Sequence, residues 1–243
     1  MNRIFIKIHF RAFMFATEYL IFLLILSLFP APVNAKGKHV NMDNTKTSGV
    51  VVIGDSRICN LAKRVRSYGE SREKYSFNAT GAGHYIYRKK WVSGKWTNKN
   101  LVISSPKYLK EQKTLVRRAL KRHGKCTIIL EATINDVHKS YVSFEKESLE
   151  SILKLRKELL GVKVKYKGQV RTPDFRVTSV IPPVRNDKRV TRFNATLKRQ
   201  FGGHYINLGL NKTWKGYYKD RLHLNKKGCD KLYNILDNAL KNP

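Results

Sequence analysis

The chain has 243 residues, and 42% of them are hydrophobic, which is enough for a packed core and excludes a wholly disordered protein. Its 49 lysines and arginines outnumber its 17 aspartates and glutamates, so the formal net charge is +32. This charge implies an anionic partner, such as a polyanionic polymer, an acidic membrane or nucleic acid. The three cysteines exclude a small domain that depends on many disulfides.

The N-terminal residues predict export. Basic side chains within the first 11 positions precede an uninterrupted apolar run over Tyr19–Phe29, and small residues precede a candidate cleavage site before Lys36. These are the three parts of a secretory signal. The run is shorter than the roughly 20 residues of a membrane span, although an uncleaved anchor is the alternative. We therefore expect a signal peptide over 1–35 and an extracellular protein that meets glycans, wall polymers and lipid headgroups, with no native nucleic-acid partner.

The polar residues 36–48 predict a linker to one domain over 49–243. Within that domain, short runs rich in β-branched residues predict buried strands, and longer amphipathic stretches predict helices. In chain order the predicted elements are strand Gly49–Gly54, helix Ser56–Tyr68, strand Tyr75–Ala79, a loop or small hairpin over Trp91–Val102, helix Pro106–Arg122, strand Cys126–Ala132, helix Phe144–Leu160, strand Phe175–Ile181, helix Val190–Phe201, strand His204–Leu208 and helix Lys226–Lys241.

This alternation of strands and helices predicts an α/β fold. Strands joined by helices favour a three-layer α/β/α sandwich around a five-stranded parallel sheet, and the strand order that we expect is the 2-1-3-4-5 order of a doubly wound, flavodoxin-like sheet. In such sheets, ligands bind beyond the carboxyl ends of the strands. The residues that follow the predicted strands are therefore the candidates for chemistry.

Four of these strand ends carry suitable residues. Gly54-Asp55-Ser56 opens the first helix, where backbone N–H groups favour negative charge, although an ordinary helix cap has the same composition. Gly81-Ala82-Gly83 leaves its N–H groups unobstructed, and Asn135-Asp136 offers an amide donor or a simple turn. Asp220 precedes His223 by three residues, a spacing that lets a carboxylate orient an imidazole, although such pairs are usually surface pairs.

Together and in this order, the four blocks resemble those of the SGNH hydrolases, also called the GDSL esterase/lipase family, and a secreted bacterial branch of that family. The resemblance covers about residues 49–240. It implies an SGNH, flavodoxin-like sandwich with Ser56, His223 and Asp220 as catalytic residues. The oxyanion hole that it implies consists of Ser56, Gly83 and Asn135. The third block departs from the family, because Thr133 stands where the family usually has Gly.

The resemblance implies serine esterase chemistry, or acyl transfer to another hydroxyl on the same machinery, that needs no metal or other cofactor. His223, oriented by Asp220, would deprotonate Ser56, which would attack an ester carbonyl and form an acyl-enzyme. No long apolar lid is visible in the sequence, which favours short acyl groups such as acetyl on a glycan, wall polymer or lipid. The alternative function is that of a basic protein that binds wall polymers or other polyanions on this scaffold with little turnover.

A basic and aromatic stretch near the second block is the candidate substrate-binding segment. Tyr85, Trp91 and Trp96 can stack on sugar faces, and the cations over 88–90 attract phosphate or carboxylate groups. We expect this stretch to form one wall of a cleft for an anionic polymer. The alternative is that its tryptophans pack against the domain and its lysines are solvated.

The cysteines and the other histidines leave alternatives open. Export would permit a disulfide between Cys59 and Cys229, whose helices share a face in the predicted fold. The alternative, which we favour, is that both are small buried hydrophobic residues. His84 and His138 lie beside the oxyanion blocks, where surface or packing roles are favoured over a place in the site.

Overall fold

The computed structural model describes residues 39–68, 74–81, 83–84, 88–92, 95–99, 102–139, 144–181, 187–209, 211–220 and 222–241. The strands are β1 (Val40–Met42), β2 (Val50–Gly54), β3 (Ser76–Ala79), β4 (Arg88–Val92), β5 (Lys95–Lys99), β6 (Thr127–Leu130), β7 (Val164–Tyr166), β8 (Gln169–Arg171), β9 (Asp174–Thr178) and β10 (Tyr205–Ile206). The α-helices are α1 (Ser56–Arg66), α2 (Pro106–His123), α3 (Ile134–Lys139), α4 (Phe144–Leu160), α5 (Lys188–Phe201) and α6 (Lys226–Lys241). The predicted signal peptide lies outside the described residues.

The main sheet confirms the predicted fold class. Its strand order is β1-β3-β2-β6-β9-β10, and the last five strands of this order are parallel to one another. Numbered among themselves, these five strands have the predicted order 2-1-3-4-5. The fold is a three-layer α/β/α sandwich, and the two hairpins β4–β5 and β7–β8 form separate two-stranded sheets.

The sixth strand corrects the prediction of a linker over 36–48. Val40–Met42 forms β1, which pairs with β3 in the antiparallel sense, with Val40 opposite Ala79. Met42 is buried in the core, and the next residue, Asp43, accepts a hydrogen bond of 2.6 Å from Arg118 on α2. The linker prediction was wrong here because two apolar residues in a polar stretch give only a faint strand signal.

The helices cover the two faces of the sheet. Alternate residues of β2 point to opposite faces, so that Val51 and Ile53 belong to one core cluster and Val52 belongs to the other. The first cluster is completed by α2, α4 and α5, and the second by α1 and α6. The expectation that the first and last helices share a face is therefore confirmed.

Helix boundaries follow from local chemistry. Helix α2 has Pro106 as its first residue and ends at Gly124, whose φ of 66° favours glycine. The predicted bounds of α4 and α6 agree with the structure, whereas α3 and the hairpin β7–β8 were not predicted. In the described part of the chain, no helix is both long and apolar enough to span a lipid bilayer.

The cysteines agree with the favoured alternative. Cys59 and Cys229 are present as buried thiols in the same core cluster, and Cys126 is a buried thiol in the other.

Candidate functional site

The turn between β2 and α1 presents Ser56 at the start of a helix. A Cβ on Gly54 would lie 2.4 Å from Cγ1 of Ile58 and 2.5 Å from Oε2 of Glu131, so only glycine fits at this position. Asp55 caps the helix, because its Oδ1 accepts a hydrogen bond of 2.8 Å from the N–H of Arg57. Ser56 is the first helical residue, it is half-buried, and the capping role falls to Asp55 instead.

Asp220 and His223 form a hydrogen-bonded pair. Nδ1 of His223 lies 2.9 Å from Oδ2 of Asp220, while Oδ1 of the same carboxylate accepts hydrogen bonds from the N–H groups of His223 and Leu222 at 2.6 and 2.7 Å. Partial burial alone would raise the pKa of Asp220, but these hydrogen bonds hold its pKa below the ordinary value. The ionised carboxylate therefore fixes the imidazole with Nδ1 as the donor and leaves Nε2 as the acceptor.

Arg57, which no pattern in the sequence singles out, joins the serine turn to the histidine loop. Its side chain is fully buried, its Nε donates a hydrogen bond of 3.0 Å to the carbonyl of Leu222, and its Nη1 donates to the carbonyl of Ile181. The residue after Ser56 thus holds the residue before His223. Burial raises the pKa of Asp55, and the proximity of His223 is one of the influences that lower it.

The second block is held by Asp136. A Cβ on Gly83 would lie only 2.1 Å from Oδ1 of Asp136, so this close approach requires glycine. Oδ2 of Asp136 accepts hydrogen bonds from the N–H of His84 at 3.1 Å and from the hydroxyl of Ser148 at 2.8 Å. The Asp of the third block therefore fixes the glycine turn of the second.

His84 has a packing role in this structure. Its side chain is buried, and its Nε2 lies 2.9 Å from the carbonyl oxygen of Glu131, which makes Nε2 the protonated nitrogen. Burial lowers the pKa of His84, although the nearby Asp136 acts in the opposite direction. A neutral, buried imidazole agrees with the favoured packing role.

The third block places Asn135 against the serine turn. The hydroxyl of Thr133 accepts a hydrogen bond of 3.0 Å from the N–H of Asn135 and so caps the short helix α3. The amide of Asn135 donates a hydrogen bond of 3.0 Å to Oδ2 of Asp55, beside Ser56. Thr133 therefore has a specific role at the position where the family usually has Gly.

A second carboxyl group lies directly beneath the serine turn and was also not identified from the sequence. Oε2 of Glu131 accepts a hydrogen bond of 3.0 Å from the N–H of Asp55, and both side chains are buried. Burial and the neighbouring carboxylate of Asp55 raise the pKa of Glu131 well above its ordinary value. The positive charge of Arg57 acts in the opposite direction and lowers the pKa of both carboxyl groups.

The predicted substrate-binding residues are only partly described. Tyr85 lies outside the described residues. Trp91 and Trp96 are direct partners in the register of the hairpin β4–β5, which connects β3 to α2 at the carboxyl edge of the sheet. Within the described ranges, no three His, Cys, Asp or Glu side chains come together as a metal site.

The comparisons with known proteins give structural neighbours only. The sequence matches no family model and no curated protein. One solved chain is 15% identical with a TM-score of 0.50, covering 81% of this chain and 97% of its own length. A carbohydrate acetylesterase from Sinorhizobium meliloti is 13% identical with a TM-score of 0.49, covering 80% of this chain and 98% of its own. A family 3 carbohydrate esterase from Clostridium thermocellum is 13% identical with a TM-score of 0.38, covering 79% and 94%. The first of these likenesses shows that the sandwich fold is shared.

Proposed function

We propose that the chain is an exported serine esterase that removes a short acyl group, such as acetyl, from a glycan or wall polymer. Ser56 is the nucleophile, His223 is the general base and Asp220 orients the imidazole. The observation that carries this proposal is the hydrogen-bonded Asp220–His223 pair, whose loop Arg57, the residue after Ser56, holds through the carbonyl of Leu222. The residue types match the four blocks of the SGNH hydrolases in the same chain order.

The reaction follows from the roles of these side chains. Nε2 of His223 takes the hydroxyl proton of Ser56 as its oxygen attacks the ester carbonyl, and the resulting tetrahedral intermediate collapses when His223 protonates the leaving alcohol. Water, activated by the same imidazole, then hydrolyses the acyl-enzyme and releases the acid.

Three groups are suited to stabilise the oxyanion. The N–H of Ser56 lies at the first position of α1, where the helix favours negative charge. The N–H of Gly83 comes from a turn that Asp136 fixes, and the amide of Asn135 comes from a helix start that Thr133 fixes. Loss of one donor of this kind typically costs about 10²–10³ in rate.

The net charge of +32 favours a second candidate function, a polyanion-binding protein on this scaffold with little turnover. The two functions differ in whether Ser56 is reactive. A fluorophosphonate probe labels an activated serine, so stoichiometric labelling supports the esterase.

The proposal is tested by substitution of the proposed catalytic residues. We expect Ser56→Ala and His223→Ala to abolish hydrolysis of a small activated acetyl ester, and Asp220→Asn to cost less if the carboxylate only orients the ring. Circular dichroism checks that each variant is folded. Full activity of Ser56→Ala would contradict the proposal. A panel of acyl-chain lengths then tests the preference for short groups.

A further inference from the structure

The hairpin β7–β8 lies at the edge of the sheet opposite the proposed catalytic residues. It follows the end of α4 and immediately precedes β9, so it lies where the parallel strands begin. Val164 is buried in the core, and the ring of Tyr166 lies 2.5 Å from where a Cβ on Gly124 would be. One side of the hairpin is therefore packed against the end of α2.

The exposed side of this region carries positive charge that no described carboxylate neutralises. The segments 119–126 and 159–173 contain no acidic residue. Lys121, Lys125, Lys163, Lys165 and Lys167 are exposed cations of these segments, and none of them forms an ion pair with another described residue. By contrast, other cations of α2 are paired, such as Lys113 with Glu158 and Arg118 with Asp43.

The tip of the hairpin holds a lysine in the left-handed backbone conformation, which residues other than glycine rarely adopt. Lys167 has a φ of 48° and is followed by Gly168 with a φ of 82°, as in the tight hairpin turns where Asn-Gly is preferred. Among the described residues other than glycine, Lys167 alone has a positive φ. Because asparagine or glycine would adopt this conformation at a lower cost, a lysine at the tip indicates that its positive charge has a function, such as binding an anionic partner.

An apolar side chain stands among these cations. Val170 is 67% exposed and is the sole large hydrophobic residue that is exposed in the described part of the chain. It lies opposite Lys165 in the register of the hairpin, so the two side chains point to the same side. An apolar group flanked by lysines fits a surface that offers anionic groups above an apolar layer, which a linear polyanion does not provide.

We propose that β7–β8 and the end of α2 form a docking surface for an anionic lipid bilayer. The cations contact the headgroups and Val170 enters the boundary between headgroups and acyl chains. Docking by this edge turns the opposite edge of the sheet, with Ser56 and His223, away from the bilayer. The surface is independent of the proposed catalytic residues and of the export signal.

The test measures binding to vesicles of phosphatidylcholine with 30% phosphatidylglycerol, by sedimentation in 150 mM salt. A chain that starts at Lys36, after the predicted cleavage site, keeps every described residue, because these begin at 39, and lacks the apolar run that inserts into lipid. We expect reversal of Lys163, Lys165 and Lys167 to Glu to weaken binding by about tenfold or more. The matched control reverses three exposed cations of α5, namely Lys188, Lys198 and Arg199, and should change binding by less than about twofold.

A second variant separates a bilayer from other polyanions. Val170→Ser keeps the charge, and we expect it to weaken vesicle binding by about threefold or more while binding to inorganic polyphosphate stays the same. Equal losses from the β7–β8 and α5 reversals would mean general adhesion by net charge and would overturn the proposal. Loss of vesicle binding by the β7–β8 reversal without any effect of Val170→Ser would also overturn it, in favour of a linear polyanion. Circular dichroism of each variant shows that the fold is intact.

Discussion

Arg57 is a buried charge whose two carbonyl acceptors lie on segments far away in the sequence, and this arrangement sets its role. We expect Arg57→Met to lower kcat by about 10²-fold with little change in KM, because the loop that carries His223 loses its anchor while the substrate surface is unaltered. The same change should lower the free energy of unfolding by about 3 kcal/mol, since Asp55 loses the adjacent charge. Steady-state kinetics and urea unfolding measure the two effects.

The control for this prediction is Arg64→Met. Arg64 belongs to the same helix but pairs with Asp230 at the surface, where solvent screens the attraction and an ion pair contributes little to stability. An unchanged kcat in Arg57→Met would show that the loop does not depend on Arg57. Arg57→Lys should recover part of the stability but little of kcat, because an ammonium keeps the charge without the planar fork that reaches both carbonyls.

Glu131 makes the stability of the folded chain depend on pH. Because burial beside Asp55 raises its pKa in the folded state, Glu131 imposes no penalty where it is protonated in both states and an increasing one as pH rises through the folded value. We expect Glu131→Gln to gain stability relative to the native chain between pH 5 and pH 8. Urea unfolding at both pH values measures this gain.

The matched control is Glu150→Gln, which changes an exposed glutamate of α4 and should show no such trend. A stability difference between Glu131→Gln and the native chain that is the same at both pH values would mean that Glu131 titrates as an ordinary carboxylate.

At the scale of the elements, the hairpin β4–β5 and the hairpin β7–β8 lie at opposite edges of the sheet, so their charges should serve different partners. We expect reversal of Arg88, Lys89 and Lys90 to raise KM for an acylated anionic oligosaccharide several-fold, because the predicted polymer cleft lies on that side. Reversal of the three lysines of β7–β8 removes the same charge and should leave this KM nearly unchanged. Equal increases in KM from the two reversals would mean that both hairpins attract the substrate only through the net charge of the protein.

The elements that sequence reasoning predicts are those with long apolar signals. Helix α4 shows its spacing over 17 residues, and both its ends agree with the prediction. The hairpin β7–β8 could not be predicted in this way, because Val164 is its only buried residue and its other positions resemble a solvated loop. Helix α3 could not be predicted either, because it has only six residues and its start depends on capping by the hydroxyl of Thr133.

The same limit explains which parts of the candidate site are visible in the sequence. The blocks around Ser56, Gly83, Asn135 and His223 are local signals at predicted strand ends. Arg57 and Glu131 give no such local signal, because a buried ionisable group is stable only through partners that the fold supplies. The carbonyl of Leu222, for example, is 165 residues away from Arg57 in the sequence.

At the scale of the whole molecule, the net charge of +32 predicts that salt stabilises the fold. Between 0.01 M and 0.15 M salt the Debye length falls from about 30 Å to about 8 Å, which screens the repulsion among unpaired surface cations. The surface ion pairs are screened as well, but each contributes little. We therefore expect the urea midpoint to rise with sodium chloride over this range.

A variant with Lys198→Glu and Arg199→Glu carries less net charge on an exposed part of α5, and its midpoint should respond less to salt. A midpoint that falls with added salt would mean that specific ion pairs outweigh the repulsion.

The edge strand β1 also determines how the molecule meets other copies of itself. Without Val40–Met42, the outer side of β3 would present a row of unpaired N–H and C=O groups to any passing strand, over four residues that are otherwise buried. This outer side is instead covered by a strand of only three residues, which is followed directly by the salt bridge between Asp43 and Arg118. The short N-terminal strand thus protects the edge of β3 from pairing with another copy of the chain. A protease that removed the residues up to Asp43 would leave the proposed catalytic residues in place but would expose β3 and make the protein prone to aggregate.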